Sequence, residues 1–196
     1  MAAMAVVLTA ACSACAEQEA SKIITLIWWP DYCHLNRNAL YCSGASFRGF
    51  VLGVVRIYSG SPCQTEITAP LAMDPEWFSF MPDPTLLNRQ WITYGICSGV
   101  APHEYFAGLD QIFRDVKIPP RFIRPDEHSR ITTSEVKRAF AAVNHLEDAD
   151  VAVSCEHDLL SDVTIRKTKK RAYRPQLSSS CPKGAFWVIA RMPLAE

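Results

Sequence analysis

Residues 89–97, Arg-Gln-Trp-Ile-Thr-Tyr-Gly-Ile-Cys, gather the side chains best suited to chemistry on a polar ligand. Arg89 carries a permanent charge on a planar fork that matches a phosphate. Gln90 and Thr93 offer neutral hydrogen-bonding groups, Tyr94 a phenol, and Trp91 a flat aromatic face. This set can grip an oxyanion and a ring, yet it holds nothing that exchanges protons near neutrality. A phenol ordinarily ionises only near a pKa of about 10, and a carboxamide does not ionise. The five histidines are scattered at His34, His103, His128, His145 and His157. His103-Glu104 reads as a solvated first helical turn, with Glu104 near the positive end of the helix dipole. His128, His145 and His157 read as surface groups in a loop, behind a helix and in a turn. His34 is the imidazole best placed to touch a ligand. The densest positive charge is Arg166-Lys167-Thr168-Lys169-Lys170-Arg171, followed by Tyr173-Arg174. Such a run suits tracking a phosphate backbone beside an aromatic, although solvated strand ends commonly look the same.

The elements that must position these groups are legible from periodicity. Lys22–Trp29 is a β-branched and aromatic run closed by Pro30, a buried strand. Arg48–Tyr58 reads as a second strand, and residues 59–63 as a turn. Residues 70–80 read as a short helix presenting Trp77, Phe78 and Phe80. Asp83-Pro84 starts a helix, with Asp as N-cap and Pro at the first helical position. That helix carries Leu86, Leu87, Gln90, Trp91 and Tyr94 and ends at Gly95. Pro102–Val116 has the plainest amphipathic spacing, through Tyr105, Phe106, Leu109, Ile112, Phe113 and Val116. Residues 118–130, with three prolines, read as a loop. Thr132 and Glu135 offer a capping box for a helix with Val136, Phe140 and Val143 on its buried stripe. Strands are expected over Ala149–Cys155, Leu160–Thr168 and Phe186–Met192. Trp28, Trp29 and Trp91 are candidate stacking platforms, with core burial the weightier reading.

At 196 residues, with 49% hydrophobic and 20% charged side chains, the chain suits one domain with a sizeable core. Twenty basic and twenty acidic residues cancel, so any contact with a polyanion must rest on a local patch. Residues 1–16 are apolar and end in Ala14-Cys15-Ala16, the pattern of a cleaved secretory signal peptide. Removing them leaves Cys33, Cys42, Cys63, Cys97, Cys155 and Cys181, an even count that points to three disulfides in a secreted or periplasmic chain. A Cys33–Cys42 loop would gain about 2–3 kcal/mol from closure. Scattered histidines and the lack of C-x-x-C after the leader argue against zinc. No later stretch reaches the roughly 18 apolar residues of a membrane-spanning helix. Residues 17–196 are therefore expected to form a single domain.

Trp91, Gly95 and Cys97, followed by Ser98-Gly99, resemble the conserved H-E-W-x-K-H-G-T-C segment of the ribonuclease T2 family. The likeness extends from Leu26 to Val188. Trp29-Pro30-Asp31-Tyr32-Cys33 resembles the family's W-P-x-x-Y-C, one residue shorter. Phe50-Val51-Leu52 resembles the start of F-x-x-H-G-L-W-P, Asp162–Ile165 resembles L-x-E-V-x-I, and Cys181-Pro182 resembles a late Cys-Pro. The resemblance implies an α+β fold, an antiparallel β-sheet core flanked by helices. It also implies the pairs Cys63–Cys97 and Cys155–Cys181, with Cys33–Cys42 the more variable one.

Family members cut single-stranded RNA without a metal or other cofactor. The ribose 2′-OH attacks phosphorus and leaves a 2′,3′-cyclic phosphate. Two imidazoles serve as base and acid, and a Lys and a Glu stabilise the crowded phosphoryl oxygens. In this chain the positions of the helix-borne His, Glu, Lys and His fall on Arg89, Gln90, Thr93 and Tyr94. Gly53 falls on the strand-borne His, or on the Gly after it if one residue is deleted. The expectation is a catalytically silent scaffold that binds RNA, a nucleotide or a protein partner through the relict cleft. Its binding residues would be Arg89, Tyr94, Trp91, His34, Lys167, Lys169, Lys170 and Arg171. The competing expectations are an endoribonuclease with relocated groups and a protein-directed effector or inhibitor.

Overall fold

The computed structural model describes residues 21–42, 49–57, 63, 71–123, 127–168 and 177–190. The expected leader at residues 1–16 lies outside the described residues, as do Lys169, Lys170, Arg171, Tyr173 and Arg174. The described elements run β1 (Lys22–Trp28), α1 (Trp29–Leu35), β2 (Phe50–Ile57), α2 (Pro84–Gln90), α3 (Pro102–Arg114), β3 (Ser129–Thr132), α4 (Thr133–Asn144), β4 (Val151–Glu156), β5 (Leu159–Lys167) and β6 (Ala185–Val188). The fold is α+β, with six strands in one sheet ordered β2-β1-β5-β6-β3 and β4 on the other edge of β5. Every pairing is antiparallel except β5 with β6, which run parallel at Leu159 and Trp187. The sheet is thus mixed rather than wholly antiparallel.

The core lies between one sheet face and the helices. Ile24, Leu26 and Trp28 alternate inward on β1 and meet Leu87 of α2, Phe106 and Leu109 of α3, and Val136 and Phe140 of α4. Trp28 sits edge-on to Phe50 at 4.9 Å, and Phe50 edge-on to Phe140 at 5.3 Å, the offset geometry that ring quadrupoles favour. A smaller cluster of Trp29, Cys33 and Val51 covers the opposite face, because Val51 alternates with Phe50 and Leu52 along β2.

Pro30 does more than end a strand. Its fixed φ suits a first helical turn, so Trp29 opens α1 instead of closing β1. Asp83 caps α2 as its sequence implied, accepting from the Thr85 amide at 2.7 Å. Thr132 and Glu135 form the reciprocal capping box of α4. The helix expected over residues 70–80 is a single 3-10 turn, Pro75–Ser79, capped by Asp74. The stretch read as a proline-rich loop contains another such turn, Pro120–Phe122, and at its end the four-residue strand β3. That strand runs directly into α4, so no flanking turn signal marks it. All three disulfides link the pairs implied by the resemblance: Cys33–Cys42, Cys63–Cys97 and Cys155–Cys181. Among the described residues, no helix is long and apolar enough to cross a membrane.

Candidate functional site

α2 does not stop at Gln90. It widens into a π turn over Trp91–Gly95, closed by the Ile96 amide donating to the Trp91 carbonyl at 2.9 Å. Local packing goes with it: the Trp91 ring packs against Gly95, and a Cβ on Gly95 would meet Trp91 Cε3 at 2.2 Å. Trp91 is held from outside by Tyr105, edge-on at 5.6 Å. Cys63 joins its amide to the Thr93 carbonyl at 2.9 Å and its sulfur to Cys97. Turns of this kind concentrate at functional sites; this one leaves Thr93 and Tyr94 half-buried, while Arg89, in the last turn of α2, is exposed.

Gln90 points the other way and is 2% exposed. Its Nε2 donates to the Val55 carbonyl at 2.9 Å and to the Tyr105 hydroxyl at 2.8 Å, while its Oε1 accepts from the Val55 amide at 3.1 Å. The carboxamide thus behaves as one residue of a neighbouring strand and closes the open edge of β2. The Phe80 carbonyl closes the same edge at Leu52, 2.8 Å from its amide. Two residues three apart share that edge because Gly53 is an extra residue in β2, where the β1–β2 register slips between Thr25 and Leu26. Gly53 itself is tightly enclosed: a Cβ there would meet Ile27 Cγ1 at 2.9 Å and the Thr25 carbonyl at 3.2 Å. Gly53 and Gln90 therefore form one scaffold contact, a bulge and the amide that caps it.

Solved structures set this arrangement in context. The sequence matches no family model and no curated protein. Trichomaglin, an S-like ribonuclease, superposes with a TM-score of 0.54 at 16% identity, covering 88% of this chain and 97% of its own. Ribonuclease MC1 from bitter gourd seeds gives 0.54 at 14% identity, covering 85% of this chain and 98% of its own. Actibind, a T2 ribonuclease, gives 0.59 at 14% identity, covering 92% and 90%. The fold is that of the T2 ribonucleases. The likeness is one of architecture, and the chemistry of the cleft rests on the residues it holds.

Within this T2 fold, no hydrogen bond among the described residues joins an imidazole to Arg89, Gln90, Thr93 or Tyr94. His34 ends α1, with its Nδ1 3.4 Å from Arg37 Nη2. His103 is exposed at the start of α3. His128 accepts the Ala190 amide through Nδ1 at 2.9 Å, a role that requires the neutral ring protonated on Nε2. His145 takes the left-handed position after α4, and His157 shares a left-handed turn with Asp158 between β4 and β5. Arg89 has no ion-pair or hydrogen-bond partner among the described residues.

The start of the basic run is anchored. Arg166 is 3% exposed and lies 3.5 Å from Asp150. Lys167 donates to the Asp115 carbonyl at the end of α3 at 2.8 Å, and burial lowers its pKa. Trp28 and Trp29 are both fully buried. Among the described residues, no group of three or more His, Cys, Asp or Glu side chains is placed to hold a metal.

Three groups went unnoticed in the sequence. Tyr105 is the third partner of the Gln90 amide, and a partner supplied by another helix leaves no local signal. Asp31 lies in α1, fully buried, accepting the Ile189 amide at 3.0 Å. Burial raises its pKa from 3.8 to about 7, against the pull of the Ile189 and Leu160 amides. Trp187 faces outward on β6 beside Arg130, and the alternation of residues 186–188 carried that signal.

Proposed function

We propose that this chain is a secreted T2-fold protein that has exchanged catalysis for binding and holds a nucleotide or single-stranded RNA through the relict cleft. The observation that carries the reading is the Gln90 amide. It is spent on both backbone groups of Val55 and on Tyr105, so it has no capacity left for a phosphoryl oxygen. Gly53 supplies no side chain, and Tyr94 is a poor base at neutral pH. Loss of general acid–base help alone costs about 10²–10⁴-fold in rate. Arg89 remains, a fixed charge without a carboxylate partner among the described residues, exposed in the last turn of α2. Binding rather than cleavage is what such a set supports. A ribonuclease MC1 variant on this fold has been captured with 5′-UMP, which supports a nucleotide-sized ligand. Three disulfides and the apolar residues 1–16 favour an extracytoplasmic location.

The test uses the mature chain in two assays. Metal-free protein is incubated with a fluorogenic RNA across about pH 4–8, where histidines and carboxylates titrate, and 5′-UMP binding is followed by calorimetry. The expected result is no cleavage above buffer, with binding weakened by Arg89→Ala. Turnover that disappears in Tyr94→Phe or His34→Ala would replace this reading with the relocated-nuclease one.

A further inference from the structure

At the far end of the sheet, β6 alternates buried and open residues. Phe186 and Val188 are 0% and 2% exposed, while Trp187 between them is 46% exposed. Its cross-strand partner on β3 is Arg130, whose guanidinium carbon lies 5.5 Å from the centre of the indole. Arg130 Nη2 donates to the Ala185 carbonyl at 2.7 Å, a bond that pins the guanidinium beside the ring. On the other flank Leu159 of β5 pairs with Trp187, and the Trp187 amide donates to the Asp158 carbonyl at 2.8 Å. The backbone of Trp187 is thus held on both sides by strand pairing. Arg130 forms no ion pair among the described residues, and most of its five N–H donors remain open.

A buried core does not need this pair. An indole left half open, beside a cation held in place but not neutralised, complements a ligand with a flat face and a negative charge. We propose that Trp187 and Arg130 form a stacking site for single-stranded nucleic acid. A base lies against the indole and guanidinium planes, and the adjoining phosphate takes the free Arg130 donors. Glu156 and Asp158, exposed at the β4–β5 turn, put negative charge on the β5 side. The site extends the nucleic-acid reading to a second surface and uses neither Arg89 nor Tyr94.

Fluorescein-labelled oligouridylate, twelve nucleotides long, titrated into the mature chain and followed by anisotropy at two salt concentrations, tests it. Trp187→Ala should weaken binding by about 5–150-fold, the equivalent of about 1–3 kcal/mol for one stacked base. Trp187→Phe, which keeps an aromatic face, should stay within a few-fold of the parent. Arg130→Ala should weaken binding and flatten the salt dependence by about 0.7 in log–log slope, one phosphate contact on a single strand. Iodide quenching of the exposed Trp187 should be suppressed by the oligonucleotide. Unchanged binding by Trp187→Ala, equal losses in the Phe and Ala variants, or no oligouridylate binding by the parent would overturn the proposal. Arg89→Ala separates the two sites. Loss confined to Arg89→Ala rejects this site and keeps the cleft, whereas loss confined to Trp187→Ala and Arg130→Ala keeps this site and rejects the cleft.

Discussion

Arg89 and Arg130 both lack a carboxylate partner among the described residues, and their surroundings could hardly differ more. Arg89 projects from a helix whose neighbouring side chains have turned inward. Gln90 closes the edge of β2, and Trp91 lies over Gly95. Arg130 is pinned on an edge strand beside an open indole. The first region commits the Gln90 amide to scaffold, whereas the second leaves an indole half open beside its arginine. The stretch that resembles a known site and the surface with open aromatic and cationic groups need not coincide in one molecule.

Protons separate the two regions most sharply, and the largest expected effect lies there. Asp31, buried in α1, anchors Ile189, the residue after β6. The folded chain holds the Asp31 proton up to a pKa of about 7, while the ordinary value is 3.8. Between these values the folded state binds more protons than the unfolded state, so this group makes stability fall as pH rises through the window and level off above it. The fall amounts to at most about 4 kcal/mol, at 1.36 kcal/mol per pKa unit. Urea denaturation from pH 4 to 8 should show that slope, and Asp31→Asn should remove it. An unchanged slope in the variant would place the pH sensitivity elsewhere.

Next in size is the packing that shapes the π turn. Gly95→Ala places a methyl group 2.2 Å from the Trp91 ring, too close for any rotamer adjustment of the alanine itself. The ring or the turn must move, with an expected loss of about 3 kcal/mol and a changed Trp91 environment in near-ultraviolet circular dichroism. A variant as stable as the parent would mean that the turn does not depend on this contact, and the contrast between a rigid cleft helix and a free sheet end would weaken.

The Asp83 cap, the Thr132–Glu135 box and the inward stripes were readable from the sequence, because each depends on residues close along the chain or on simple periodicity, whereas the cysteine pairs were implied by the family resemblance. The Trp-to-Gly spacing of residues 91–95 was also visible, but not its consequence. Periodicity alone gives an α-helix ending at Gly95, and the close approach of the Trp91 ring to Gly95 that accompanies the π turn is not visible in it. The fate of Gln90 was hidden for a similar reason. Its partners, Val55 and Tyr105, come from other elements, and only a bulge at Gly53 brings Val55 to the edge it caps. Residue types alone did not tell what Gly53 and Gln90 are put to in the folded chain.

The smallest effects test that last point within two adjacent residues. Gln90→Glu keeps the shape of the side chain but turns the Nε2 donor into an oxygen facing the Val55 carbonyl. As a buried carboxylate it should destabilise the fold by about 2 kcal/mol or more, the penalty of leaving a buried group unpaired. The loss should shrink at acid pH, where a protonated carboxyl can again donate to that carbonyl. Arg89→Ala, one position earlier, touches no described partner, and its stability change should stay within about 0.5 kcal/mol. Denaturation curves of the two variants side by side decide the matter. If Arg89→Ala proves the more damaging, the helix is using its charge as scaffold, and the residue left to hold a phosphate is not free to do so.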